Sequence, residues 1–239
     1  MKKILAILLV LACLFSVASC NKKQEAAEEN LQKFSDMFAS SVPTQAVTVV
    51  KQEFNNGVEL ESNYTLTTGT VDGKTATTLV SSVQTLSDIT EGTLNYKTTK
   101  ETNEWYYEGF GTSTNKGKSW NAEGTNFAPV AGSLAMNLHQ DYIAYYDYKV
   151  EGNTETLILE VYEENSYEVL KNFLGVDQNF EYYTIITIVA AGERISSVEI
   201  EYLVYEHEVG TMENYVEVSD MYITIHVDYS YDIQDINFD

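Results

Sequence analysis

The chain has 239 residues, with 14 Lys and Arg set against 36 Asp and Glu, so its formal net charge is −22. A surface this acidic repels polyanions and excludes a nucleic-acid partner, because such binding needs a basic patch or stripe. With only Cys13 and Cys20, and only Pro43 and Pro129, there is neither a disulfide framework nor a proline-rich linker, and the length suits one β-rich or α+β domain.

At the N-terminus, Lys2 and Lys3 precede an apolar run from Ile4 to Phe15, which gives way to Ser16-Val17-Ala18-Ser19 and then Cys20. The run falls short of the ~20 apolar residues that span a bilayer and ends in small residues, the pattern of an export signal. Val17-Ala18-Ser19-Cys20 resembles the lipobox of bacterial lipoproteins, with Val17 where Leu is commonest. That resemblance implies a signal peptide over 1–19, acylation at Cys20 with chains such as palmitate, and a mature protein held on the outer face of a bacterial membrane in the cell envelope. Two or more acyl chains, each contributing about 0.8 kcal/mol per buried CH₂, hold a protein durably. Cys13 leaves with the leader, so the mature chain has no disulfide and no cysteine metal site. Residues 20–30 are then a lipidated N-terminus and short tether, and 31–239 a single domain.

Leu31, Phe34, Met37 and Phe38 recur at helical spacing, predicting an amphipathic helix over 26–41 that Pro43 ends. From Val47 the period becomes two. Strands are expected over 47–54 and 58–68, joined by Asn55-Asn56-Gly57, then over 75–86 after an Asp72-Gly73 turn, over 93–99 and over 104–110. Asn126 to Gln140 carries Val130, Leu134 and Leu138 at i, i+4 and i+8 with Pro129 near its start, predicting a second helix. Strands resume over 142–150 and 156–162. Asn165 with Glu168 suggests a capping box for a third helix, stopped at Gly175. The chain closes with strands over 182–190, 195–207 and 215–231; in the last, Met221, Ile223, Ile225, Val227 and Tyr229 alternate with polar positions and Tyr222.

This order of elements behind a lipidated cysteine resembles the LolA-like and LprG-like lipoproteins. The likeness implies an α+β fold in which a strongly curved antiparallel sheet, an incomplete barrel, carries one N-terminal helix and two more covering its concave face. It further implies a lipid or other apolar ligand in that concavity, for which the apolar stripe of the second predicted helix offers Val130, Leu134 and Leu138 as contacts.

Catalytic and cofactor chemistry finds little footing. Gly111 to Trp120, GTSTNKGKSW, nearly matches a phosphate-binding loop, but five residues rather than four separate Gly111 from Gly117-Lys118-Ser119, and no helix pattern follows. Hairpin-loop chemistry accounts for it better. His207 stands between Glu206 and Glu208, whose side chains would point to the opposite face of a strand; His226 and Asp228 share a face, yet two ligands fall short of a zinc site. Gly132-Ser133 lacks the nucleophile elbow of serine hydrolases. We therefore expect a non-enzyme without metal or cofactor. A second functional reading starts from 18 tyrosines and from Trp105, Tyr106, Tyr107 and Trp120, which could form an aromatic platform for carbohydrate or protein recognition at the cell surface.

Overall fold

Apolar side chains every three or four residues make an amphipathic helix, α1, of residues 27–40. The structure, a computed structural model, describes residues 27–40, 42–54, 59–90, 93–98, 101–123, 136–174, 182–204, 207–211, 214–218, 221–232 and 236. After α1 come β1 (Gln45–Phe54), β2 (Glu59–Val71), β3 (Lys74–Ser82), β4 (Gln84–Thr90), β5 (Thr93–Thr98), β6 (Thr102–Tyr107) and β7 (Gly111–Ser113). Then follow β8 (Ile143–Glu151), β9 (Thr154–Val161), a second helix α2 (Ser166–Leu174), β10 (Thr184–Ala191), β11 (Arg194–Val204), β12 (His207–Thr211), β13 (Asn214–Val218) and β14 (Met221–Ser230).

Among the described residues, ten strands form one antiparallel sheet in the order β7, β6, β3, β2, β1, β14, β11, β10, β9, β8, and it does not close on itself. The chain is thus an antiparallel α+β protein. Asp72 and Gly73 both have positive φ, 49° and 75°, as the tight two-residue hairpin between β2 and β3 demands. The last strand lies in the middle: β14 pairs with β1 from Gln45↔Ser230 to Phe54↔Met221 and with β11 from Ser197↔Asp228 to Val204↔Met221.

Three expected strands are each divided. Residues 75–86 break at Val83, where β3 stays in the main sheet while β4 leaves to pair with β5 in a separate ribbon; likewise β12 and β13 form a second ribbon beyond β11 and β14. A period of two records alternation but not a change of partner.

One face of the sheet is covered. Phe34 of α1 and Phe173 of α2 are fully buried against Leu157, Leu159, Ile186, Ile188, Val198, Ile200 and Val227, and the Phe38 ring meets that of Phe173 edge-on at 6.2 Å. Polar bonds fix the helices on the strands. Lys33 of α1 donates to Glu155 Oε1 of β9 at 2.6 Å, Tyr148 OH of β8 donates to the same carboxylate at 2.6 Å, and Asn30 donates to the Tyr146 hydroxyl. At α2, the buried Ser166 hydroxyl donates to Tyr182 O at 2.6 Å and lies 3.0 Å from the buried Thr184 hydroxyl.

Two sequence expectations are corrected here. The second helix, predicted over 126–140, falls mostly outside the described residues, but its described end, Met136 to His139, is not helical and leads into a short 3-10 turn, Gln140–Tyr142. Buried Met136 and Leu138 alternate with exposed Asn137 and His139, the period of an extended run. Nor is Asn165 an extended cap. It ends a 3-10 turn, Glu163–Asn165, that runs into α2, and Glu168 pairs with Lys171 instead. Gly175 and the Asn55-Asn56-Gly57 turn lie outside the described residues.

The Glu155 carboxyl is held below its ordinary value, first by the Lys33 hydrogen bonds and then by Tyr148, whose phenol its bond to Glu155 pushes up to about 12. A depressed carboxyl stabilises the fold above its unfolded pKa and loses that contribution as pH falls through the folded one. A raised phenol stabilises below about 10 and loses that contribution as pH climbs toward 12. In urea titrations across pH, Glu155→Gln should cost about 1 kcal/mol at neutrality and flatten both the acid and the alkaline limbs. Among the described residues, Thr77 Oγ1 and Tyr229 OH are buried without a hydrogen-bond partner. Tyr229→Phe removes such an orphan and should raise stability by up to about 1 kcal/mol in the same assay.

Candidate functional site

The stretch that mimics a phosphate loop joins β7 to Trp120. Its geometry begins with two glycines of positive φ, Gly109 (85°) and Gly111 (93°), which let the chain reverse from β6 into β7; Phe110 N–H donates to Tyr107 O at 2.9 Å. The loop then folds on itself. Ser113 Oγ accepts from the amides of Asn115 (3.3 Å) and Gly117 (3.0 Å), while Asn115 Oδ1 accepts from the Ser119 amide at 2.9 Å and its Nδ2 donates to Ser119 Oγ at 2.7 Å. The amides of Gly117 and Ser119, which a phosphate would need, are therefore engaged by the loop's own side chains. Thr112 and Asn121 exchange two backbone bonds, at 3.1 and 2.7 Å, which bring Trp120 back over the sheet.

That reversal assembles an aromatic group. Phe110 stacks on Tyr107 at 5.0 Å with an interplanar angle of 11°, and Trp120 lies 6.1 Å from both rings. Lys74 Nζ sits over the Phe110 and Tyr107 rings at 5.0 and 5.6 Å. Its neighbour Glu108 accepts from Thr75 N–H at 2.8 Å, and that backbone bond, helped by Lys74, holds the Glu108 carboxyl below its usual value. Phe110 is 45% exposed. Beside the rings, Thr112, Ser113, Thr114, Ser119, Trp120 and Asn121 line a cavity of about 360 Å³. The pairing Gln45↔Thr67, Thr67↔Thr78 and Thr78↔Trp105 puts Trp105 and Tyr107 on the face away from the helices. Flat apolar rings beside hydroxyls and amides suit a ligand with a flat apolar face and a polar rim.

Of the residues singled out in the sequence, Tyr107 and Trp120 come together; Trp105 is half-buried two positions back on the same face of β6, and Tyr106 points to the other face. Phe110 is the member that the sequence alone does not reveal, because its position reads as the end of a strand over 104–110. Its flanking glycines were the available signal.

A larger cavity, about 1060 Å³ and open to solvent, runs along α1. Leu31, Met37 and Leu138 form its apolar part, and Glu28, Glu29, Asp36, Asp141 and Glu193 give it an acidic rim with Lys33 and His139. Of the three residues expected to hold an apolar ligand, Leu138 is buried in the core and borders this groove, whereas Val130 and Leu134 lie outside the described residues, as does Cys20.

On the face away from the helices, His226 Nδ1 lies 3.3 Å from Glu199 and Nε2 3.3 Å from Asp228. The two carboxylates flank opposite sides of the imidazole, so the three do not converge on one ion, and among the described residues no group of three or more acidic, His or Cys side chains could hold a metal. His207 opens β12, while Glu206 is outside the described residues. No helix of the described residues is long and apolar enough to cross a membrane. No family model and no curated protein matches the chain.

A β-carbon on Gly111 would stand 2.0 Å from Asn121 O. Gly111→Ala should therefore part the β7 strand from Asn121, release Trp120 and shift its fluorescence to longer wavelength, while the far-ultraviolet circular dichroism stays near native.

Proposed function

We propose that this is an exported, non-enzymatic bacterial lipoprotein, tethered through acylated Cys20 to the outer face of a membrane, that recognises carbohydrate with the Tyr107, Phe110 and Trp120 platform. The observation that carries the recognition reading is the stacked, half-exposed Phe110 and Tyr107 pair, flanked by Trp120 and a hydroxyl- and amide-lined cavity. Sugar rings stack their C–H faces on aromatics and spend their hydroxyls on neutral donors and acceptors of this kind. Export rests on the sequence alone, through the Val17-Ala18-Ser19-Cys20 segment.

The apolar-ligand reading keeps one specific foothold, the groove along α1 with Leu31, Met37 and Leu138 on its apolar side. It belongs with a finer architecture than the open antiparallel sheet, namely a strongly bent, incomplete barrel with a third helix over the concave side. Supporting that architecture, both described helices pack on one sheet face. Against a ligand between those helices and the sheet stands the filled core there, and the carboxylate rim of the groove disfavours fatty acids and anionic lipids.

On a glycan array, the native chain should bind a restricted set of saccharides, and Phe110→Ala or Trp120→Ala should weaken the best of them roughly tenfold or more. Silence across the array, together with lipid recovered by solvent extraction of the purified protein, would transfer the assignment to the groove. Labelled palmitate should enter the native chain and not Cys20→Ala.

A further inference from the structure

We propose that the β8 edge pairs with the β8 of a second copy, extending two sheets into one across a two-fold axis at Tyr148. Among the described residues, nothing pairs with the outer side of β8, which is the terminal strand of the sheet. The edge is long and aromatic: Ile143–Glu151 reads IAYYDYKVE, and Tyr145 and Val150 are 53% and 57% exposed. Its single irregularity lies between Ile143 and Tyr145, leaving Tyr145 to Glu151 regular. Edge strands that must stay solitary are kept short, bulged or covered, or carry proline or charge, Lys above all. The β8 charges, Asp147 and Lys149, instead match one another across a two-fold.

Asp147 and Lys149 share the face away from the helices, whereas Tyr146, Tyr148 and Val150 face the helix side, opposite Leu159, Leu157 and Glu155 of β9. In antiparallel pairing about Tyr148, Asp147 of each copy stands opposite Lys149 of the other, Val150 opposite Tyr146, and Tyr145 opposite Glu151. Both charge pairs are attractive, and the exposed Val150 gains an aromatic neighbour. Moving the axis one residue in either direction spoils this. Centred on Asp147, two carboxylates oppose each other; centred on Lys149, two ammonium groups do, and Asp147 meets Glu151. Only the Tyr148 register among these neighbours satisfies the charges, which commits the edge to its own copy in one alignment. The two-fold stands perpendicular to the sheet, so both α1 helices lie on the same side of the joined sheet, as two chains tethered to one membrane require. Lys149 now bridges to Asp147 within its own strand at 3.1 Å, a surface contact that the second copy's carboxylate can share.

The test is sedimentation equilibrium of the full chain in detergent, with circular dichroism to verify the fold of each variant. The native chain should dimerise. Asp147→Lys and Lys149→Asp, each placing like charges opposite one another twice, should each weaken the dimer about tenfold or more. The double variant Asp147→Lys with Lys149→Asp should restore it. A native chain that stays monomeric, even one that captures a different polypeptide along this edge, overturns the proposal, as does a dimer indifferent to the single reversals or not recovered by the double one. Because the aromatic platform lies at the β7 edge, glycan binding should be unaffected by these reversals, which separates this inference from the recognition reading.

Discussion

The sheet holds together through β14. Strands β1, β2, β3, β6 and β7 form one half and β8 to β11 the other, and among the described strands the halves meet only where the chain's last long strand inserts between β1 and β11. Ten register pairs to β1 and eight to β11 give that strand two full ladders, and its Ile223, Ile225 and Val227 lie in the core beneath the helices. The contacts closing the sheet are among the most distant in the chain: Gln45 pairs with Ser230. Loop-closure entropy must be met before such pairing brings any return, so the central seam is expected to form late in folding.

From that seam follows the division of the molecule into two faces. An antiparallel sheet can leave one face wet provided the other is covered, and α1 and α2 cover the β8 to β14 half with Phe34, Phe173, Val169 and Leu170, all fully buried. The Glu155 bonds to Lys33 and Tyr148, and the Ser166 and Thr184 contact, add direction to this nonspecific burial by fixing where each helix lies along the strands. Among the described residues, side chains occupy the space between helices and sheet, so the surfaces open to a partner lie at the margins. Those margins are the groove beside α1, the rings at β6 and β7, and the β8 edge.

How much of this was legible depended on whether a residue's role is local. The helix over 27–40 and the alternation of β14 could be read directly, because burial on one side imposes a period that neighbours a few residues apart reveal. The Asp72-Gly73 turn was legible for a related reason, its positive φ values being costly for other residue pairs. Partner exchange was not legible: residues 195–207 and 215–231 each read as one strand, although the chain passes between the main sheet and a ribbon within both. Leu138 shows a second blind spot, since spacing at i, i+4 and i+8 is an even spacing and fits an extended run as well as a helix. At the platform, Trp120 and Tyr107 were visible as aromatics, but their meeting depends on Phe110 and on the backbone exchange of Thr112 with Asn121, which only the folded loop brings about.

On the lipid-anchor reading, position in the envelope follows from reach and charge. From Cys20 to the first described helical residue, Ala27, the chain can span at most about 25 Å, so the start of α1 cannot stand far from the bilayer. The acidic rim along α1, in a chain of net charge −22, opposes close approach to an anionic leaflet, so the tether works against a repulsive surface potential. The balance favours a domain held near the membrane without lying flat on it, its helices toward the anchor. The face opposite the helices, with Tyr107 and its ring partners at one edge, then looks outward, where an immobile polymeric ligand would be met. A soluble apolar ligand would impose no such orientation, and this difference in geometry, more than composition, favours recognition at the aromatic edge over carriage in the groove.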